Sequence, residues 1–234
     1  MDWQGGLLVE YAWDFTSVWR NWQVLLQGIG ITLALSLASI SLGLLLSIPL
    51  AFLRKSKLKI VVWLSKAFIE VFRDLPVLVV LVWLFYCLPI LLGSDVRLTP
   101  FVVAVMGLGL NFAALQAEIF RAGLEAIPLG QLEVASTLGF SRYQIARYIV
   151  IPQALWRTLA PTLGQAVNTL KLTSLASFIA VDDVFHATTF LIQETYRPLE
   201  FYTILAVLYL LTIMPLSFAI QTVERRLEMR FGQD

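Results

Sequence analysis

Charge is scarce in this sequence. Only 14% of its 234 residues are charged, against 59% that are hydrophobic. A water-soluble domain covers its surface with charge, so this composition excludes one. Cysteine is nearly absent. Cys87 stands alone, which excludes an internal disulfide and a thiolate metal cluster. Histidine is equally rare, and a lone His186 excludes zinc and haem sites that need several such ligands. Asp182 and Asp183 have no second histidine near them, so no metal is expected there. No serine stands in a histidine–acid motif, and no glycine-rich phosphate loop occurs. The chain is therefore expected to hold no catalytic residues and no cofactor, and to bind no nucleic acid. A cleavable leader is not expected either. The first apolar run starts about 24 residues in and is too long for one, so it should insert and stay.

Long apolar runs are what the sequence has. Residues 24–53 carry no charge and form a first expected span, with Gly28, Gly30, Gly43, Ser36, Ser39 and Ser47 as small residues for close helix contact. Further spans are expected at 75–92, 98–117, 159–181 and 201–222. Residues 1–23, acidic and rich in tryptophan, read as an external segment at the membrane surface. Residues 60–72 read as a helix lying in the interface, and 182–200 as a polar loop that contains a solvated His186. Lysine and arginine set the orientation. Arg54, Lys55, Lys57, Lys59, Lys66 and Arg73 share one side with Arg121, Arg142, Arg147 and Arg157, whereas the other side has Arg20, Arg97 and Arg197. The expected fold is an all-α membrane protein, one domain over 1–234, with five transmembrane helices. Its N-terminus lies outside and its C-terminus in the cytoplasm.

Polar residues inside these spans are candidates for a substrate pathway. Lys171 sits about twelve residues into the fourth span, at a depth where a charge costs about 2.5–3.5 kcal/mol. Asn168 and Gln165 precede it at intervals of three, and Asn111 lies in the third span on the face of Glu118. Gln165, Asn168, Lys171 and Asn111 are the pathway candidates. The alternative for Lys171 is an internal ion pair with Glu118 or a following aspartate. For Glu118, a structural pair with Arg121 or Arg157 is the stronger expectation.

The stretch 118–154 is the longest charged interval between apolar segments, and it is expected to be cytoplasmic. Residues 131–138 can form about two helical turns. Gly139 can end that helix with a positive φ, and Ser141 can cap the next one. Ala135, Ser136 and Thr137 are short side chains expected to be exposed to a partner's cleft, with Glu133 available to pair with a base in the partner or within this subunit.

Gly130-Gln131-Leu132-Glu133-Val134-Ala135, then Gly139, then Ile151-Pro152-Gln153-Ala154, resembles the EAA loop of binding-protein-dependent ABC importer permeases. Val134 replaces the middle alanine and Ile151 the usual leucine. Arg121-Ala122-Gly123, Ile127-Pro128, Phe72-Arg73-Asp74-Leu75-Pro76 and Lys171-Leu172-Thr173-Ser174-Leu175 are similar to the polar amino-acid uptake branch. That branch more often has aspartate where Leu172 stands. The resemblance covers nearly all of the chain from residue 24 onward. It implies a type I ABC importer transmembrane domain in a bacterial plasma (inner) membrane. It also implies the partners: two ATP-binding cassette ATPase subunits that bind ATP and Mg, a second permease copy or a related permease, and an extracytoplasmic amino-acid-binding protein. Glu133, Ala135, Ser136, Thr137 and Gly139 would dock the ATPase. An opine or an amino-acid-like osmolyte stays open as the substrate, and a nucleotide-independent channel is the rival class.

Overall fold

The computed structural model describes residues 11–54, 56–93 and 98–231, and only the backbone of 223 and 226–231. The expected roles of residues 1–10, Lys55 and Arg97 lie outside the described residues. Among the described residues every regular element is a helix. A short turn, α1 (Thr16–Arg20), leads into α2 (Trp22–Leu53). Then come α3 (Lys59–Asp74) and α4 (Val77–Leu92), bent 107° from each other, with a π-helical turn at Trp83–Cys87 inside α4. Leu75 is extended (φ −71°, ψ 136°), as the residue before a proline prefers, and Pro76 opens α4. α5 (Pro100–Glu125) begins with Thr99 accepting the N–H of Val102. α6 (Leu129–Thr137) is short. α7 (Arg142–Ile179) is long, with a π-helical turn at Ala146–Val150 and a 3₁₀ end at Thr173–Ile179. α8 (Val184–Thr195) and α9 (Pro198–Phe231) complete the chain.

Packing between α2 and α5 forms the centre of the bundle. The buried face of α2 repeats every three or four residues through Gly28, Thr32, Ser36, Ser39, Gly43, Ser47 and Ala51. Such a stripe lets backbones approach closely where hydrocarbon supplies no hydrophobic drive between helices. α5 answers with Gly109, whose missing Cβ would meet Leu42 of α2 at 2.9 Å. A Cβ on Gly43 would stand 2.6 Å from the Phe112 ring, and one on Gly28 would stand 2.7 Å from the Cα of Val184. Gly30 differs from the expectation. It faces open space, because it lies off the buried stripe.

Two expectations change. The helix that holds the expected fourth span does not begin at residue 159. It runs unbroken from Arg142, so the amphipathic half of the 118–154 stretch is continuous with the span. Residues 182–200 are not a polar loop. The Asp183 carboxylate accepts the N–H of His186 at 2.9 Å and caps α8. Val184, Ala187, Thr188 and Leu191 form the buried face of α8, and Thr32 of α2 accepts the Val184 N–H at 3.2 Å. Interspersed polar residues hide that four-residue face in the sequence. His186 is thus helical and half-buried, with Nδ1 3.2 Å from Asp182.

The segment before α1 is strapped to the start of α9. The Tyr11 hydroxyl and the Asp14 N–H both donate to the buried Glu200 carboxylate, and Arg197 donates to the Ala12 carbonyl at 3.1 Å. Hydrogen bonds from the Thr16 hydroxyl and N–H hold the Asp14 carboxyl below its ordinary value. Beyond the buried Glu200, Phe201 and Leu205 at its start, α9 is nearly bare within the chain. Among the described residues three helices are long and apolar enough to cross a membrane, or up to five if each bent pair counts as one span.

Candidate functional site

The turn from α6 to α7 follows from local chemistry. Gly139 has φ 83° and its N–H bonds the Ser136 carbonyl at 3.1 Å, while the Phe140 N–H bonds the Ala135 carbonyl at 3.1 Å. This pair of bonds is a Schellman cap, and its left-handed position suits glycine. Two residues later Ser141 caps α7 and closes a reciprocal capping box with Gln144. α6 is thereby a rigid projection. A hydrogen bond of 2.8 Å from Gln153 to Gln131 ties it to α7.

Of the docking candidates, Glu133, Ser136, Thr137 and Gly139 are exposed on this projection. Ala135 is not. It is 3% exposed, turned to the inner face of α6, and its role is to let that helix sit close to its own chain. Ser136 and Thr137 fold their hydroxyls back onto the carbonyls of Leu132 and Val134, so they present small, saturated surfaces. Sequence reasoning missed the apolar part of this face. Leu129, Val134 and Leu138 are all exposed, an unusual cost unless another protein covers them. Their spacing of four to five residues in an interval flanked by charge was the available signal.

Arg54 at the end of α2 reaches Glu118 of α5 at 2.9 Å. Glu118 also pairs with Arg121 at 2.8 Å, which extends to Glu125. The expected Glu118–Arg121 pair is present, and Arg54 is the partner that the sequence did not reveal. A cation at a helix C-terminus also suits the helix dipole.

Farther along α7, Arg157, Pro161, Gly164, Asn168 and Lys171 recur at steps of three or four and are all exposed. They form one uncovered stripe. Among the described residues Lys171 makes no ion pair, so the internal pair is not what holds it. Gln165 lies off the stripe, with a buried amide nitrogen that has no partner. Asn111 does not join them. It is buried and donates to the Phe72 carbonyl at 2.8 Å, fastening α3 to α5. Gln116, fully buried, donates to Thr162 of α7 at 2.7 Å and leaves its carbonyl oxygen without a partner. An amide in the middle of an apolar run was its only sequence mark.

Residues 43–231 match the family model described as "Binding-protein-dependent transport system inner membrane component". The chain belongs to this family. This inner membrane component is 32% identical over 216 residues to the glutamine transport system permease protein of Escherichia coli strain K12, covering 92% of this chain and 98% of that one. It is 35% identical over 209 residues to the octopine transport system permease protein of Rhizobium radiobacter, covering 85% and 83%. Its fold matches a crystal structure described as an amino acid ABC transporter with histidines, with a TM-score of 0.86 and 30% identity. That match covers 92% of this chain and all of the other. The inward-facing MetNI methionine ABC transporter, at 18% identity and a TM-score of 0.71, shares the fold.

Proposed function

We propose that this inner membrane component is the permease subunit of a type I ABC importer that carries a polar amino acid into the cytoplasm. The end-to-end likeness to an amino acid ABC transporter chain, at a TM-score of 0.86 and 30% identity, carries the reading. The permease performs no chemistry. Two ATPase subunits bind ATP and Mg, and an extracytoplasmic binding protein delivers the substrate. We assign five crossings, to α2, α4, α5, the far part of α7 and α9, with the N-terminus outside. The lysine and arginine asymmetry supports that orientation.

In this reading the ATPase grips α6 through Glu133, Ser136, Thr137, Gly139 and the apolar Leu129, Val134 and Leu138. Movement passes through the Gln131–Gln153 bond to α7. The uncovered stripe of α7 faces a second permease, itself or a relative, and the pathway runs between them along Asn168, Lys171 and the neighbouring Gln165. Lys171 offers a charge to the substrate carboxylate. Nucleotide shifts the balance between inward- and outward-open states by binding one better than the other. The octopine permease relative, at 35% identity, favours an opine as the second substrate reading.

The test is uptake of labelled glutamine and octopine into proteoliposomes containing the purified complex and binding protein. Uptake is expected only with ATP on the ATPase side. Equal flux without nucleotide would make the chain a channel and end this reading.

A further inference from the structure

The side chains of α3 divide into three faces at 3.6 residues per turn, where a helix at the surface of a bundle needs only two. Ser65 and Ile69 are buried, and Ile69 packs with Ala114 and Ala117 of α5, so one face belongs to the bundle. Asn111 fastens the far end of α3 through the Phe72 carbonyl at 2.8 Å. Lys59, Lys66, Glu70 and Arg73 make a second, charged face, and all four are exposed. Ile60, Leu64 and Val71 make a third, and they are 68%, 55% and 49% exposed. A contiguous apolar face left open in this way marks a contact with something other than water. Trp63, also exposed, stands at the border between the charged face and the apolar one.

The attitude of α3 decides what lies against its apolar face. α4 crosses the membrane in the assignment above, and α3 meets it at 107°. α3 therefore runs close to the membrane plane, at the level where α2 ends at Leu53 and α3 begins at Lys59. A helix held so, with one face on the bundle, turns the other two to hydrocarbon and to water. Phe52, Leu53 and Leu58, exposed as well, lead from the end of α2 into the apolar face. An indole at the polar–apolar border suits the level of the headgroups.

Charge selects among lipids. No acidic residue occurs between Asp14 and Glu70. Arg54 is paired with Glu118 at 2.9 Å, Lys66 with Glu70 at 3.5 Å and Arg73 with Asp74 at 2.9 Å. Lys57 and Lys59 are exposed and make no ion pair among the described residues. Two unpaired lysines at headgroup level attract a lipid of net negative charge more than a zwitterionic one. We propose that α3 is a binding site for acidic phospholipids of the cytoplasmic leaflet, with Lys57 and Lys59 on the phosphate and Ile60, Leu64 and Val71 on the acyl chains. The proposal rests on the five crossings and the orientation of the transport reading.

The experiment has two arms, both on the whole complex in nanodiscs of equimolar phosphatidylglycerol and phosphatidylcholine. With Cys87 replaced, a nitroxide is placed on a cysteine at Leu64 or at Glu70. Oxygen, which partitions into hydrocarbon, is expected to relax the label at Leu64, and a water-soluble nickel chelate the label at Glu70. Nickel access at both positions puts α3 in water and overturns the proposal. So does a Leu64 label that neither reagent reaches, because another subunit then covers it. In the second arm, native mass spectrometry reads the phospholipids retained on the complex. The wild type is expected to retain phosphatidylglycerol in preference to phosphatidylcholine. Lys57→Gln/Lys59→Gln lowers that preference about fivefold, and Lys57→Arg/Lys59→Arg keeps it. Arg20→Gln, which removes a cation from the other side, leaves it unchanged. No preference in the wild type, an unchanged one in the glutamine variant, or an equal loss in Arg20→Gln overturns the proposal. ATP-dependent uptake, measured on the same complexes, judges the transport reading separately, since none of these results requires flux to change.

Discussion

At residue scale the two ends of the proposed coupling path rest on different physics. Gly139 is favoured for backbone reasons: φ is 83°, and the left-handed region costs an L-residue about 1–2 kcal/mol. Nothing described stands within 4 Å of where its Cβ would be, so an added side chain meets no part of this chain there. Gly139→Asp is expected to leave the permease inserted and to lower co-purification of the ATPase several-fold. Wild-type recovery of ATPase with intact transport would refute the docking role. In the proposed pathway Lys171 acts through its charge. Exposed on its stripe and without an ion pair, it does not stabilise the fold by pairing. Lys171→Met is therefore expected to assemble and hydrolyse ATP normally while uptake falls about tenfold or more. Asn168→Leu should lose less, because a neutral hydrogen bond is worth about 0.5–1.5 kcal/mol. Uptake measured beside yield and detergent stability checks both. Normal uptake by well-assembled Lys171→Met would remove it from the pathway.

At the scale of elements, small residues decide which helices touch. α2 has glycines two apart with opposite surroundings. Gly28 abuts the backbone of Val184, where a Cβ would sit 2.7 Å from Cα, whereas Gly30 has nothing within 4 Å. Gly28→Ala forces α2 and α8 apart and is expected to cost about 1–3 kcal/mol. Gly30→Ala is expected to be neutral or slightly stabilising, since alanine restricts the unfolded chain more than glycine. Thermal denaturation of the purified complex for the pair reads the difference directly. Equal melting temperatures would mean that α8 does not pack on α2 as described. The same logic explains the polar face of α8: Asp183 and Thr32 satisfy the first backbone donors of that helix, so it can lie buried among apolar neighbours.

At the scale of the whole molecule, orientation is the property that every functional assignment shares. With Cys87 replaced, a cysteine at Gln193 is expected to react with an impermeant reagent from outside intact cells. One at Ser141 should react only after the cytoplasmic face is opened. Both positions are exposed, so access depends on the membrane and not on burial. Labelling of the Ser141 position from outside would reverse the topology and move α6 away from any cytoplasmic ATPase. The bare face of α9 and the uncovered stripe of α7 belong to this scale too. Each is a surface that a lone chain leaves open to lipid or to a second subunit.

Membrane residence, helicity, the glycine turn and the Ser141 cap could be read from the sequence because each is set by residues close together in the chain. Apolar length, charge asymmetry and cap chemistry are local signals, and the α6–α7 motif carries its own geometry. Burial is decided by what comes near from far away. Ala135 looks the same as Ser136 in a linear reading, and only the packed helix turns one inward and one out. Asn111 read as a pathway amide until the Phe72 carbonyl, 39 residues distant, claimed its donor. α8 passed for a loop because its apolar face has meaning only against α2. Arg54 and Glu118 stand on different helices, and their pairing, like the strap from Tyr11 to Glu200, exists only once tertiary contacts bring distant charges and donors together.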